Sequence, residues 1–165
     1  MTTVNRRSRA HDGNTTRVFG SFCLASHPRL SCYNPATVRT YDHVDVRVHS
    51  LAEARPFYET LLPALGFTCE VRIEGWLQFE APGAGGATEF FGVTESPRHV
   101  ANECRIAFWT DSTHEVDRLT EIVIRAGGRN VEGPGYHEGP GYYAVFFEDP
   151  SGNRLEICHR AVDAR

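Results

Sequence analysis

Residues 142–160 read YYAVFFEDPSGNRLEICHR. Two apolar, β-prone runs flank a turn, Asp149-Pro150-Ser151-Gly152-Asn153. Pro fixes one φ and Gly supplies a positive one, so the stretch predicts an antiparallel hairpin, Tyr142–Glu148 and Arg154–His159. Upstream, Cys104–Thr110 (CRIAFWT) is strand-like. Thr113–Ala126 has Val116, Leu119, Ile122 and Val123 on one helical face, with Ser112 or Thr113 to cap it and Gly127–Gly128 to end it. Arg129–Glu132 predicts one more strand. The module from 103 to 160 thus reads strand, helix, strand, strand, strand.

The same order occurs once before, over residues 41–95. Tyr41–Val48 (YDHVDVRV) alternates polar and apolar residues as a half-buried strand does. Leu51–Leu62 has helical spacing, with Ser50 as cap, Pro56 as a local irregularity and Gly66 as stop. Thr68–Ile73, Trp76–Glu80 and Thr88–Val93 follow as short strands, separated by turns at Gly75 and Gly83–Gly86. A βαβββ unit leaves one apolar sheet face bare, and two units side by side cover it. The expected fold is α+β: paired βαβββ modules curling into a cup-shaped mixed sheet with helices outside. The cup's interior is the natural ligand site.

Residues 1–39 differ. They are rich in Arg, Ser, Thr and Asn, show no sustained period, and hold one acidic residue, Asp12. They predict a poorly ordered N-terminal extension, with a short strand near Arg17–Leu24 the one exception, ahead of a single domain over 40–162. The 17 basic residues are all Arg, against 21 acidic ones, for a net charge of −4. That balance argues against nucleic acid and an anionic membrane as partners. No apolar run reaches the length of a membrane span. Five cysteines, an odd number with no CxxC pair, fit a reduced cytoplasmic setting.

His43 within YDHVDVRV, the block ARPFYETLLPALGF, and YYAVFFEDPSGNRLEI ending at Glu156 together resemble the vicinal oxygen chelate superfamily of glyoxalases, bleomycin-resistance proteins and extradiol dioxygenases. The resemblance runs from Tyr41 to about Arg160. It implies metal ligands on the first and last strand of each module. By position these are His43 and Glu89 in module one and Glu156 in module two. The fourth position falls on Arg105, which cannot ligate a metal because it stays protonated and has no acceptor. The resemblance further implies a divalent ion (zinc, nickel, manganese or iron), with Glu89 or Glu156 also moving a proton, in isomerase or lyase chemistry on a small oxygen-rich substrate. Phe146 stands where many dioxygenases carry a catalytic Tyr, which disfavours ring cleavage.

Arg105, Trp109, Tyr143 and Trp76 are the expected substrate-binding residues. The competing expectation is a metal-free binder of the bleomycin-resistance type, in which Arg105, Glu89 and Glu156 form a polar network beside aromatic walls. A domain that has lost its site is the third. Small-molecule ligands and a homodimer are the implied partners.

Overall fold

The computed structural model describes residues 41–82 and 88–161. The N-terminal extension and the strand expected near 17–24 lie outside the described residues. Module one comprises β1 (His43–Val48), α1 (Leu51–Ala64), β2 (Cys69–Ile73), β3 (Trp76–Pro82) and β4 (Thr88–Glu95). Module two comprises β5 (Arg105–Trp109), α2 (Thr113–Ala126), β6 (Arg129–Tyr136), β7 (Tyr142–Glu148) and β8 (Arg154–Arg160). The duplicated α+β plan is therefore present, with β6 longer than expected.

Both helices begin as the sequence predicts. The Ser50 and Ser112 hydroxyls accept from the backbone N–H of Glu53 and Glu115, which satisfies one free donor of each first turn. Helix α2 ends at Gly127, whose φ of 89° only glycine adopts without strain. Helix α1 runs on through Pro56 and Pro63.

Each module forms its own open four-stranded mixed sheet, in the orders β1-β4-β3-β2 and β5-β8-β7-β6. The first and last strands of each module pair in parallel, and the others antiparallel. Strands β1 and β5 thus occupy corresponding edges of the two sheets.

One hydrophobic core serves both modules. It takes Val46, Val48, Leu77, Phe79, Phe91 and Val93 from the first sheet and Val145, Phe147, Leu155 and Ile157 from the second. The helices add Phe57, Tyr58, Leu61 and Leu62 on α1 and Val116, Leu119 and Val123 on α2. Phe57 of α1 lies 6.4 Å from Phe147 of β7, and Phe91 of β4 lies 5.8 Å from Phe108 of β5, so rings from both modules interleave. Alternation along the strands leaves His43, Asp45, Arg105, Ala107 and Glu156 on faces opposite this core.

The hairpin turn does more than reverse the chain. Asp149 is fully buried. Its Oδ1 accepts from the N–H groups of Ser151 and Asn153, and its Oδ2 from Asn153 Nδ2 and the Tyr58 hydroxyl at 2.7 Å. Asn153 Nδ2 also donates to the Arg47 carbonyl, and His99 bonds Asn153 Oδ1 at 2.9 Å. A module-two turn is therefore pinned to the helix and first strand of module one. A buried carboxylate is tolerable only with such a full set of donors.

Burial, and next the Asp149 charge, push the Tyr58 hydroxyl well above its ordinary value of 10. The folded state thus holds this proton where the unfolded chain releases it. Its contribution is complete below about pH 10 and is lost as pH rises towards the folded-state value. Tyr58→Phe should lower unfolding stability at neutral pH by about 1–3 kcal/mol, because Asp149 loses a donor. Denaturant melts between pH 9 and 11 should also fall less steeply for the variant than for the natural protein. Some slope should remain, because Tyr142 and Tyr143 are raised too.

Candidate functional site

Between the start of β1, the start of β4 and the whole of β5 lies a cavity of about 570 Å³. Phe67, Phe90, Phe91, Phe108 and Trp109 supply aromatic wall, and Asp42, His43, Glu89 and Arg105 supply polar groups. The size suits a small organic ligand. Four expected site residues therefore share one cavity: His43, Glu89, Arg105 and Trp109. Trp109 is 56% exposed, so its indole borders the opening.

His43 is held on two sides. Its Nδ1 lies 2.8 Å from Asp42 Oδ2, and its ring stacks on Phe90 at 4.4 Å, within 4° of parallel. With Nδ1–H donating to Asp42, Nε2 carries the free lone pair.

Glu89 takes the other face of the sheet. It alternates with Phe90, which pairs with His43, and shares its parity with the buried Phe91 and Val93. The two registers give the correspondence between modules directly. Arg105 pairs with Arg154 and Ala107 with Glu156; His43 pairs with Phe90 and Asp45 with Gly92. Gly92, not Glu89, is thus the module-one counterpart of Glu156. A Cβ at Gly92 would stand 2.2 Å from Asp45 Oδ1 and 2.9 Å from Trp76 Nε1. Those side chains fill the space that a last-strand ligand would need. Trp76 sits on this patch outside the cavity wall, and its buried Nε1 has no hydrogen-bond partner among the described residues.

Glu156 is 5% exposed and already engaged at both oxygens. The Tyr142 hydroxyl donates to Oε1, and Arg105 Nη1 stands 3.7 Å from Oε2. Phe146, directly across the ladder from Glu156, carries the Arg105 guanidinium on its ring at 4.5 Å. Arg160 stacks on Tyr142 at 3.9 Å. Burial and the bond to Glu156 push the Tyr142 hydroxyl far above its ordinary value. The same two causes push the Cys158 thiol up to about 11.

Tyr143, expected to bind substrate, donates to Asp117 on α2 at 2.8 Å and is not among the residues lining the cavity. Its neighbour Tyr142 is the tyrosine that reaches the polar cluster. Hairpin register could have found it, since the tight turn fixes Phe146 opposite Glu156 and so puts Tyr142 on the same face.

The expected ion can be tested on these donors. Among the described residues no three His, Cys, Asp or Glu side chains come together as a metal site. His43 and Glu89 sit on opposite faces of their sheet, and Glu156 accepts the Tyr142 hydroxyl with the Arg105 guanidinium 3.7 Å away. The donor set of one chain does not fit a divalent ion.

The fold and cavity define a class: a tandem βαβββ protein with an aromatic-walled cleft between its modules. A family model, the glyoxalase/bleomycin resistance protein/dioxygenase superfamily, matches residues 40–157, and the chain belongs to that superfamily. Among solved structures it is similar to a glyoxalase/bleomycin resistance protein from Albidiferax ferrireducens T118 (26% identity, TM-score 0.62), over 74% of this chain and 100% of the other. It shares the fold of the fosfomycin resistance protein FosX from Mesorhizobium loti (18%, TM-score 0.55; 76% and 96% covered). It also shares that of a Listeria monocytogenes FosX variant complexed with Mn(II) and a dihydroxypropylphosphonic acid (18%, TM-score 0.53; 77% and 94% covered). In sequence the chain matches no curated protein. No helix among the described residues is long and apolar enough to cross a membrane.

The raised thiol makes one prediction. At pH 8 iodoacetamide should alkylate the exposed Cys69 and Cys104 and leave Cys158 unmodified in the native protein. Peptide mass spectrometry reads this, and rapid native labelling of Cys158 would show that its seal beside Glu156 is wrong.

Proposed function

We propose that this protein binds a small, largely apolar or aromatic molecule in the cavity between its modules, without a metal ion. The observation that carries the reading is the state of Glu156. Arg105 takes the place of a metal donor and supplies the positive charge that a carboxylate in this position needs. Tyr142 satisfies the second oxygen. Phe108, Phe90 and Trp109 offer flat contact surface, and His43 offers an acceptor at Nε2. This is binding of the bleomycin-resistance kind.

The second reading is a divalent-metal-dependent lyase or isomerase of the glyoxalase type, with His43, Glu89 and Glu156 as donors. What favours it is the fold shared with FosX, one example of which was crystallised with Mn(II). It requires an assembly that brings those donors together. A homodimer is the natural candidate. We also propose a reduced cytoplasmic setting, in keeping with free Cys69, Cys104 and Cys158.

The test uses chelator-treated full-length protein and 1-naphthol as a flat probe, followed by quenching of tryptophan fluorescence. Saturable quenching is expected, and Phe108→Ala should weaken it by about tenfold through lost ring contact. Saturation only after a divalent ion is restored would favour the second reading instead.

A further inference from the structure

We infer that the ligand of this cavity carries an anionic group, a carboxylate or a phosphonate, and that the Arg105 guanidinium receives it. The inference rests on the binding reading above and adds the chemical class of the ligand. Arg105 opens β5, lines the cavity and sets its guanidinium carbon over the Phe146 ring at 4.5 Å, with 44% of its side chain exposed. Stacking fixes the plane of a guanidinium and leaves its edge to present N–H groups.

Its carboxylate contact among the described residues is a single Nη1–Oε2 approach of 3.7 Å. That is longer than a hydrogen bond, so most of the five N–H donors have no strong acceptor. Glu156 keeps the Tyr142 hydroxyl on Oε1. An incoming anion can therefore take the edge of Arg105 without leaving a buried carboxylate unsatisfied.

Two carboxylates line the same cavity. Asp42 is engaged by His43, and Glu89 lines the cavity from the sheet face opposite Phe90. A ligand would lie with its anionic group at Arg105 and its ring between Phe108 and Phe90. A second unmet polar atom lies beside the same platform. His137 packs edge-on against Phe146 at 4.9 Å, and its buried Nε2 has no partner among the described residues.

Calorimetric titration of the chelator-treated full-length protein with phenylphosphonate and with benzyl alcohol separates the cases, since the two probes share a ring and differ in charge. Phenylphosphonate should bind at least about tenfold more tightly. Arg105→Gln should bring it down to the level of the alcohol, and Arg105→Lys should fall between. Glu156→Gln should tighten phenylphosphonate and leave benzyl alcohol unchanged, because the competing carboxylate is gone. Melting curves check that each variant folds, and the two Arg105 variants carry the test if the Glu156 variant does not. Equal affinity for the two probes, or weaker phosphonate binding in Glu156→Gln, would overturn the inference. Benzyl alcohol binding alone would overturn it while leaving the cavity reading intact, whereas binding of neither probe would bring both down.

Discussion

The carboxylate of Asp149 is the contact on which the arrangement of the two modules depends. It is buried without a salt-bridge partner among the described residues, and four donors from three residues make that burial tolerable. Two of those donors close the β7–β8 turn. The Tyr58 hydroxyl ties that turn to α1, and Asn153 passes the connection on to the end of β1. Module two cannot rotate against module one without taking the Tyr58 hydroxyl from Asp149 and the Arg47 carbonyl from Asn153. The same constraint holds β5 beside the start of β1, where the cavity lies.

The polar cluster on module two has a different logic. Glu156 sits at the position where the superfamily resemblance implies a metal ligand, yet its environment is that of an internal ion pair. A guanidinium stacked on Phe146 supplies positive charge on one side, and a tyrosine hydroxyl supplies a hydrogen bond on the other. Only the Glu156 end of this pair is buried, and a buried carboxylate recovers its desolvation cost only when its lone pairs are satisfied. Tyr142 meets that need at Oε1. On module one the matching position is a glycine, and Asp45 and Trp76 have closed over it.

Much of the fold was legible in the sequence because local chemistry decided it. The Pro-Ser-Gly turn, the serine caps, the glycine stop of α2 and the 3.6-residue apolar period each act within a few residues, and all appear at the expected places. The candidate site was legible in part. His43, Arg105 and Trp109 reached one cavity because strand position alone put them there. Glu89 joined the same cavity from the wrong face. Phe90 and Phe91 are adjacent and both large, so the run 88–93 shows no alternation from which to read its phase, and only pairing with β1 fixes it. Adjacent Tyr142 and Tyr143 posed a similar problem. Asp117 on α2 claims one and Glu156 the other, which is a tertiary choice. The buried role of Asp149 was hidden for another reason, since an aspartate at a turn is sufficiently explained by the turn itself.

The central claim is that Arg105 replaces the metal charge at Glu156. The most direct measurement is elemental mass spectrometry on the full-length protein after equilibration with manganese, zinc, nickel and ferrous iron and removal of the excess. The account predicts no stoichiometric ion under any of these conditions. A full equivalent per chain, lost on changing His43 to Ala or Glu156 to Gln, would contradict it.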